Sequence, residues 1–373
     1  MGCFLKLTNN FYVDFAPLRS EKITGIARVG LSILIHLNEV QEFYLVNDLD
    51  TYSNDVVCPD FLEVSYVPKG LLAASQTFEQ IQLVLNSLNI EKKSKLEFED
   101  SRVLYPFWRP QFRISRKEFS ILYDFSTIKF AESHSNMTIE RFNRNLELLA
   151  KFNTNCICIS ESTRRDALAF ADLASSLMIV IPCGVNPFFK IPSNRDLKSL
   201  NTFSKFVFIS SLEPRKRVLE LLEWWHMTKY RREDATLTII GDVAWWSDDE
   251  FLARLKRLKS QSQEFTFFLG YASEEELIDV LSNCDVLIYP SKYEGFGLPV
   301  LDALFFQKKV LLSANSSMLE FNSNFIEYID GDDLSSWDSS LDALAAKDLS
   351  NHKFQIERYN WQNYVSYLLG HEE

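Results

Sequence analysis

Short apolar runs alternate with longer segments of helical periodicity along this chain, and that alternation restricts its possible folds more than any other feature. In the first half the apolar runs read FYLVN, FSILYDF, CICIS and MIVIP, at residues 43–47, 119–125, 156–160 and 178–182. The segment at 138–152 instead repeats apolar residues at helical spacing. Strands that alternate with helices are typical of parallel α/β sheets.

The second half restarts the same pattern, with the apolar runs FVFIS, TLTIIG, FTFFLG, DVLIYPS and KVLLS at residues 206–210, 236–241, 265–270, 285–291 and 309–313. A polar segment with prolines at 186–205 separates the halves and is predicted to be a linker. At 373 residues the chain is too long for one ordinary core. We therefore predict the α/β class, with two doubly wound domains facing a central cleft and an amphipathic helix at 358–370 ending the chain.

The composition excludes several kinds of protein. A net charge of -12 and an isoelectric point near 5.1 argue against binding to nucleic acid, or to an anionic membrane, by overall charge. The six cysteines form no C-x-x-C pair. Cys156 and Cys158 would face the same side of a strand, so we expect reduced thiols rather than zinc ligands.

No apolar run approaches the roughly 18 residues of a membrane span, and no signal peptide precedes the first predicted strand. The chain begins Met-Gly, but Lys6 stands where a myristoylation motif requires Ser or Thr. A cytoplasmic location is expected, with peripheral association at the inner face of a membrane left open.

The stretch YEGFGLPVLDALF at 293–305 follows the predicted strand DVLIYPS and leads into a helix near Pro299. Ligands of open α/β sheets bind at such carboxyl edges. A helix N-terminus preceded by Gly295 and Gly297 offers free N–H groups and close backbone approach, which suits a phosphate.

The carboxylates of this stretch suggest what else the ligand carries. A phosphate repels Glu294, so that side chain is expected to accept hydrogen bonds from neutral hydroxyls. Asp302 lies one helical turn inside Leu298 and can reach further hydroxyls of the same ligand. These features describe a nucleotide sugar. An unliganded helix N-terminus with a glycine turn and acidic compensation of the helix dipole explains this stretch alone equally well.

A second group of charges follows the strand FVFIS, where Arg215, Lys216 and Arg217 occur together in an acidic protein. A guanidinium beside an ammonium suits a diphosphate. A solvated basic turn is the alternative and the commonest role of charge runs. The position at a strand-to-helix junction favours ligand binding.

A family resemblance runs through most of the chain in order. In the second half its residues are LEPRK, IIGD, the segment FLGYASEEELIDVLSNCDVLIYPSKYEGFGLPVLDALF, and VLLSANSSMLEF. These resemble the nucleotide-sugar domain of retaining GT-B glycosyltransferases, in particular glycosyltransferase family four, the group 1 glycosyl transferases. The first half is similar more loosely, through VDFAPLRSEKITGIARV, YDFSTIKFAESHS, ISESTRRDAL and IPCGVNPFF.

The resemblance implies the GT-B architecture of two Rossmann-like domains. Residues 1–190 would form the acceptor-binding domain and 191–355 the nucleotide-sugar-binding domain. Residues 356–373 would form a helix packing across both domains.

The resemblance also implies roles for single residues. Glu294 matches the first acid of the family's Glu-x7-Glu signature, which holds the sugar hydroxyls, and Asp302 matches the second, which contacts the ribose. Arg215 and Lys216 match the basic pair on the diphosphate. The implied site contains four catalytic and nine donor-binding residues: Glu294, Lys216, Arg215 and Asp124, then Gly25, Gly241, Gly270, Tyr271, Gly295, Phe296, Gly297, Leu298 and Asp302.

The chain departs from the family pattern at three places. Asp302 is one methylene shorter than the usual Glu. Tyr123 stands where the family usually has His before Asp124, which puts in doubt the role of that His. Residues 307–309 replace a glycine turn after the signature helix. Nearby His134 is interpreted as a solvated loop residue.

No metal and no cofactor are expected to be required. The basic pair already neutralises a diphosphate, and the NDLD run at 47–50 lacks the pattern that surrounds an Asp-x-Asp metal site.

The predicted reaction is transfer of a hexose or deoxyhexose, with mannose or rhamnose type favoured, from a nucleotide diphosphate sugar. The predicted acceptor is a hydroxyl of a saccharide or lipid-linked molecule. The family implies retention at the anomeric carbon, and surface polysaccharide biosynthesis is the expected context. A GT-B sugar-nucleotide epimerase and a non-catalytic scaffold subunit stay open as alternatives.

Overall fold

The structure of the protein is a computed structural model. It describes residues 10–19, 23–49, 55, 57–190, 203–232, 235–243, 248–262, 265–349 and 352–371. The chain divides into two compact units. The first unit comprises Met1–Tyr123, Glu140–Phe188 and Tyr359–Glu373, and the second comprises Asp124–Ile139 and Phe189–Arg358.

The strands follow the chain in this order: β1 Phe11–Asp14, β2 Phe43–Val46, β3 Phe61–Val67, β4 Ile90–Ser94, β5 Arg102–Tyr105, β6 Lys117–Leu122, β7 Asn155–Cys158, β8 Met178–Val180, β9 Lys205–Ile209, β10 Thr236–Ile240, β11 Thr266–Gly270, β12 Val286–Tyr289, β13 Lys309–Ser313 and β14 Ile326–Ile329. The α-helices are α1 Gly25–Val40, α2 Phe78–Asn86, α3 Ser126–Lys129, α4 Asn136–Lys151, α5 Glu161–Phe170, α6 Val218–Met227, α7 Lys229–Arg232, α8 Asp249–Gln261, α9 Glu274–Asn283, α10 Leu298–Phe305, α11 Trp337–Ala346 and α12 Gln362–Leu369.

The first unit contains a sheet in the order β4-β3-β2-β1-β5-β6-β7-β8. The pairs β2 with β3 and β3 with β4 are antiparallel, and the remaining pairs are parallel. All four strands expected in this half are present. The apolar runs did not predict β1, β3, β4 or β5. Of these, β4 has the largely charged sequence IEKKS and lies exposed at the sheet edge. An edge strand of this kind carries no apolar run.

The second unit contains a parallel sheet in the order β11-β10-β9-β12-β13-β14. The five strands expected from the apolar runs are all present, and β14 is added. Strand β12 is buried along its whole length, as expected for the interior of a parallel sheet. The chain winds from β9 through β10 to β11 on one side, then returns to β12 on the other. The carboxyl ends of β9 and β12 therefore form a topological switch point.

An aromatic core supports the second sheet on its α6 and α11 side. Trp224 and Trp225 on α6 and Trp337 on α11 are fully or almost fully buried. The Phe206 ring packs edge-on against both tryptophans of α6, at centroid distances of 6.0 and 5.5 Å. This packing fixes α6, and the turn before it, relative to β9.

The C-terminal helix α12 packs within the first unit. Trp361 Nε1 donates to the Val185 carbonyl at 2.7 Å, and the Tyr364 hydroxyl donates to the Ile181 carbonyl at 2.6 Å. The two compact units also differ from the predicted division into contiguous halves, because residues 124–139 belong to the second unit. The central part of the predicted linker lies outside the described residues.

Candidate functional site

The predicted basic pair and the predicted acid lie together at the switch point of the second unit. Lys216 belongs to a short 3-10 turn after β9, and Glu294 belongs to the loop after β12. The ammonium of Lys216 donates to both carboxylate oxygens of Glu294, at 2.5 and 2.7 Å. Both side chains are 8% exposed. The structure therefore brings the two segments that the sequence singled out into one buried ion pair.

Arg215 links the same two loops. Its Nη1 donates to the Tyr293 carbonyl at 2.6 Å and lies 3.5 Å from the Glu294 carboxylate. Its Nη2 donates to the Glu213 carboxylate at 2.7 Å. Its Nε is buried and has no hydrogen-bond partner among the described residues. Glu213 had no predicted role, although it stands two residues before Arg215 in the same motif.

The ionisation of this cluster is set by burial and by mutual charge. Burial favours neutral Glu294, but the charges of Lys216 and Arg215 outweigh it and hold the pKa of Glu294 below its usual range. Burial and the Arg215 charge lower the pKa of Lys216, against the opposing effect of Glu294. Burial also disfavours the charged form of Arg215, yet the carboxylates of Glu294, Asp124 and Glu213 raise its pKa. The pKa shifts of Glu294 and Arg215 thus favour their charged forms, whereas the lowered pKa of Lys216 favours its neutral form.

The loop that carries Glu294 leads directly into α10. Gly297 occupies the N-cap of this helix with φ of 100°, a backbone conformation that favours glycine. A Cβ at this position would lie 2.5 Å from Met318 Cε. Pro299 falls on the second helical residue, because α10 begins at Leu298. Buried Gly295 and the buried Phe296 complete the loop.

Two serines after β13 hold the Glu294 loop by its backbone. Ser316 Oγ accepts from the Glu294 N–H at 3.0 Å. Ser317 Oγ donates to the Glu294 and Phe296 carbonyls, at 2.9 and 3.1 Å. These serines had no predicted role. Their signal was the Ser-Ser pair just beyond the carboxyl end of a predicted strand.

Asp302 lies on α10 and is only 1% exposed. Contact with a ligand hydroxyl, as predicted from the family signature, requires that side chain to become accessible. Its role stays a prediction.

Two glycines of the predicted donor site lie at the carboxyl ends of the neighbouring strands, Gly241 directly after β10 and Gly270 at the end of β11. Gly241 donates its N–H to the Gly270 carbonyl at 2.7 Å. Gly241 has φ of 138°, and a Cβ there would lie 1.8 Å from the Ser210 carbonyl oxygen. Gly270 has φ of 67°, and the neighbouring Tyr271 is 42% exposed. Close backbone packing between the ends of β9, β10 and β11 is therefore sufficient to explain the need for Gly241.

The segment that begins at Asp124 packs against the Glu294 loop. The Phe125 N–H donates to the Tyr293 hydroxyl at 3.0 Å, and Lys129 Nζ lies 4.7 Å from the centre of the Tyr293 ring. One Asp124 oxygen accepts from the backbone and side chain of Ser126, at 2.9 and 2.7 Å. The charge of Asp124 acts on Arg215, so this predicted residue belongs to the same electrostatic cluster.

Three further residues that the sequence singled out have surroundings other than the Lys216–Glu294 pair. The Tyr123 hydroxyl donates to the Pro106 carbonyl at 2.8 Å, and burial raises its pKa well above the usual range. His134 is half-buried, and its Nε2 is buried, so the expectation of a solvated loop histidine is wrong. Gly25 begins α1 in the first unit, where the Thr24 side chain caps the helix, and its donor-binding role stays a prediction.

Two features concern metals and membranes. Within the described part of the chain, no group of three or more His, Cys, Asp or Glu side chains is arranged to hold a metal ion. Among the residues that the structure describes, no helix has the length and apolar character needed to cross a membrane.

The two α/β units have the GT-B fold that the sequence resemblance implied. Residues 192–347 match the model of the family described as Glycosyl transferases group 1. This match covers less than half of the chain, and it lies in the half where the sequence resemblance is strongest.

Particular relatives and structures are similar to the chain. O-antigen chain mannosyltransferase B of Escherichia coli is 26% identical over 167 residues, which cover 42% of each chain. The match thus spans less than half the length of that relative. Two solved structures share the fold over 97% of this chain. Sucrose-phosphate synthase from Thermosynechococcus elongatus has a TM-score of 0.61 at 14% identity over 98% of its chain. Anabaena Alr3699/HepE, solved in complex with UDP and glucose, has a TM-score of 0.58 at 15% identity over 96% of its chain.

Proposed function

We propose that this protein is a glycosyltransferase that moves a hexose or deoxyhexose, with mannose or rhamnose type favoured, from a nucleotide diphosphate sugar to an acceptor hydroxyl. The observation that carries the proposal is the buried cluster of Lys216, Arg215 and Glu294 at the carboxyl edge between β9 and β12. Open α/β sheets bind ligands at such a switch point. The similarity to an O-antigen mannosyltransferase supports a mannose-type donor and a role in surface polysaccharide biosynthesis.

The donor diphosphate binds to Arg215, Lys216 and the N–H groups at the start of α10. Both basic side chains are fixed by packing and by the loops around them, so they are organised before the donor arrives. Lys216 makes two of its three possible hydrogen bonds to Glu294. Its third N–H can then donate to the diphosphate. Glu294, held in its carboxylate form, accepts hydrogen bonds from the sugar hydroxyls.

Stabilisation of the leaving group drives the reaction. The acceptor oxygen forms a bond to the anomeric carbon on the face from which the diphosphate departs, and the bond from that carbon to the diphosphate oxygen breaks. The acceptor proton passes to a diphosphate oxygen. Fixed positive charge near the departing diphosphate lowers the barrier because the charge develops there. The negative charge of Asp124 favours the charged form of the Arg215 guanidinium.

The same residues bear on the metal requirement of the reaction and on its acceptor. Two buried cations at the diphosphate take the part that a divalent metal plays elsewhere, so the reaction proceeds without a required metal or cofactor. The acceptor is a saccharide or a lipid-linked saccharide. A lipid-linked acceptor would bring the protein to the inner face of the membrane as a peripheral protein.

A thermal-shift screen tests the donor assignment first. The purified protein is heated with GDP, UDP, dTDP, ADP or CDP, each with and without magnesium. A ligand that binds only the folded state adds about 2.7 kcal/mol of stability at 100 times its dissociation constant. We expect a metal-independent shift from one diphosphate that is lost in Lys216→Ala. A matched control, Arg254→Ala, removes an exposed ion pair of the same unit and should keep the shift.

Transfer is then measured with the donor that this screen selects. The anomeric configuration of the product, read by NMR, tests retention. Interconversion of the donor sugar without any acceptor would favour an epimerase. Failure of all five nucleotides to shift the melting temperature would favour a scaffold subunit.

A further inference from the structure

His134 carries a buried ring nitrogen that the folded chain does not use. Its Nε2 is enclosed and has no hydrogen-bond partner among the described residues. The backbone around it is fixed, since the His134 N–H donates to the Ala131 carbonyl at 3.0 Å. A buried polar atom without a partner costs free energy unless another molecule supplies the partner.

The segment that presents His134 is packed onto the loop of the candidate site. Three contacts made by Tyr293 hold it there. The Tyr293 hydroxyl accepts from the Phe125 N–H at 3.0 Å, and its ring lies 5.9 Å from the Phe130 ring and 4.7 Å from Lys129 Nζ. The carbonyl of the same tyrosine accepts from Arg215 at 2.6 Å. One residue thus connects the His134 segment to the basic pair.

Charged groups from two directions act on the His134 imidazole. Asp124 and Glu132 belong to its own segment, and Arg215 and Glu213 belong to the turn after β9. Arg215 and Glu213 are also the ion pair joined at 2.7 Å in the candidate site. The imidazole therefore lies within the electrostatic range of the groups that would hold a diphosphate.

We propose that His134 is a donor-contact residue whose Nε2–H donates a hydrogen bond to an anionic oxygen of the nucleotide diphosphate. This inference rests on the proposed function. It assigns the diphosphate a third side-chain contact, beside Arg215 and Lys216, and gives the enclosed nitrogen its partner. As for Asp302, the contact requires the enclosed atom to become accessible when the donor binds. Tyr123 cannot take this role while its hydroxyl is bonded to Pro106.

The charge of the imidazole is coupled to donor binding. Burial, together with the Arg215 charge, lowers the pKa of His134 from its usual 6.5, while Asp124, Glu213 and Glu132 oppose the change. The imidazole is therefore neutral at pH 7 without donor. An entering diphosphate brings negative charge that favours the imidazolium form, so binding is accompanied by proton uptake below neutral pH.

Isothermal titration with the nucleoside diphosphate selected by the thermal-shift screen tests this inference. Titrations at pH 6 and pH 8, in buffers of different ionisation enthalpy, give both affinity and protons taken up. We expect His134→Ala to weaken binding at pH 6 by about ten-fold and to reduce proton uptake. His134→Gln keeps an N–H donor, so it should recover much of the affinity but none of the proton uptake attributable to the imidazole.

His36→Gln is the matched control. This half-buried histidine of α1 bonds the Ser32 carbonyl through Nδ1 at 2.9 Å, outside the candidate site. His36→Gln should match the wild type in affinity and proton uptake. Comparing its proton uptake with that of His134→Gln cancels the contribution from titration of the nucleotide itself. If wild type and both His134 variants agree in affinity and proton uptake, the His134 assignment is wrong and the donor site stands. If the wild type binds no nucleoside diphosphate, both proposals are wrong.

Discussion

Lys216 and Glu294 are 78 residues apart in sequence, yet the lysine ammonium lies 2.5 and 2.7 Å from the two carboxylate oxygens. Each side chain is 8% exposed. The pair joins the loop after β9 to the loop after β12, across the switch point of the sheet. It therefore combines two roles, since it stabilises the loops and positions the groups proposed to bind the donor.

Removing one member of this pair should destabilise the protein unequally. Glu294→Ala leaves Lys216 and Arg215 buried with Glu213 as their nearest remaining acid, so we expect a loss of about 3 kcal/mol or more. Lys216→Ala leaves Glu294 with Arg215 at 3.5 Å, so its cost should be smaller. Urea unfolding of both variants measures the difference.

The exposed pair Arg254 and Glu223 provides the control for these two variants. Its side chains are 44% and 31% exposed, and its removal should cost about 0.5 kcal/mol. A Lys216→Ala variant as destabilised as Glu294→Ala would show that Arg215 does not compensate Glu294.

The Glu294 carboxylate should make stability depend on acid pH. Its folded-state pKa is held below the usual 4.5 because the charges of Lys216 and Arg215 outweigh the effect of burial. A pKa that is lower in the folded state than in the unfolded state contributes stability at pH values above the unfolded-state pKa. That stability is lost as the pH falls through the folded-state pKa. The stability advantage of wild type over Glu294→Gln should therefore be constant from about pH 7 to 5.

Unfolding curves at a series of pH values between 7 and 3 test this prediction. The advantage of wild type should shrink only as the pH falls below 4.5. A gap between the two proteins that stays constant down to pH 3 would show that Glu294 does not titrate differently in the folded protein.

The apolar runs predicted nine of the fourteen described strands. Each run produced a strand because a buried parallel strand requires an uninterrupted apolar sequence. The meeting of Arg215, Lys216 and Glu294 was also foreseeable, because the carboxyl ends of neighbouring parallel strands lie at one edge. The runs did not predict β1, β3, β4, β5 or β14. Strand β4 carries no apolar run because its charged residues lie exposed.

Other parts of the candidate site depend on tertiary contacts that sequence spacing does not report. His134 is polar and lies in a loop, so its enclosure becomes visible only when its segment packs on Tyr293. The bonds from Ser316 and Ser317 to the Glu294 loop depend on how β13 aligns with β12. The burial of Asp302 likewise depends on how α10 packs, which the family signature does not specify.

Gly297→Ala should weaken both stability and donor binding. The residue adopts φ of 100°, and a Cβ would lie 2.5 Å from Met318 Cε. Backbone strain of this kind costs about 1 to 3 kcal/mol, and relief of the clash would displace the start of α10. We expect lower thermal stability and a higher dissociation constant for the nucleoside diphosphate.

Gly70→Ala separates backbone strain from the clash. Gly70 has φ of 77°, but a Cβ there meets nothing within 4 Å. This variant should show a loss of stability from strain alone and no change in nucleotide affinity. Equal nucleotide affinity in Gly297→Ala and wild type would argue against a diphosphate at the start of α10.

Arg215→Lys tests whether the guanidinium shape matters as well as its charge. Arg215 donates through Nη1 to the Tyr293 carbonyl and through Nη2 to the Glu213 carboxylate. A lysine ammonium is a single charged centre and cannot span both acceptors while facing the diphosphate. We expect kcat/KM for the donor to fall by about ten-fold or more, while the charge of the cluster is unchanged. Arg254→Lys, the same substitution at an exposed pair of the same unit, should leave kcat/KM unaltered. If Arg215→Lys retains the wild-type kcat/KM, positive charge alone is enough at this position, and the link between the loops contributes nothing to catalysis.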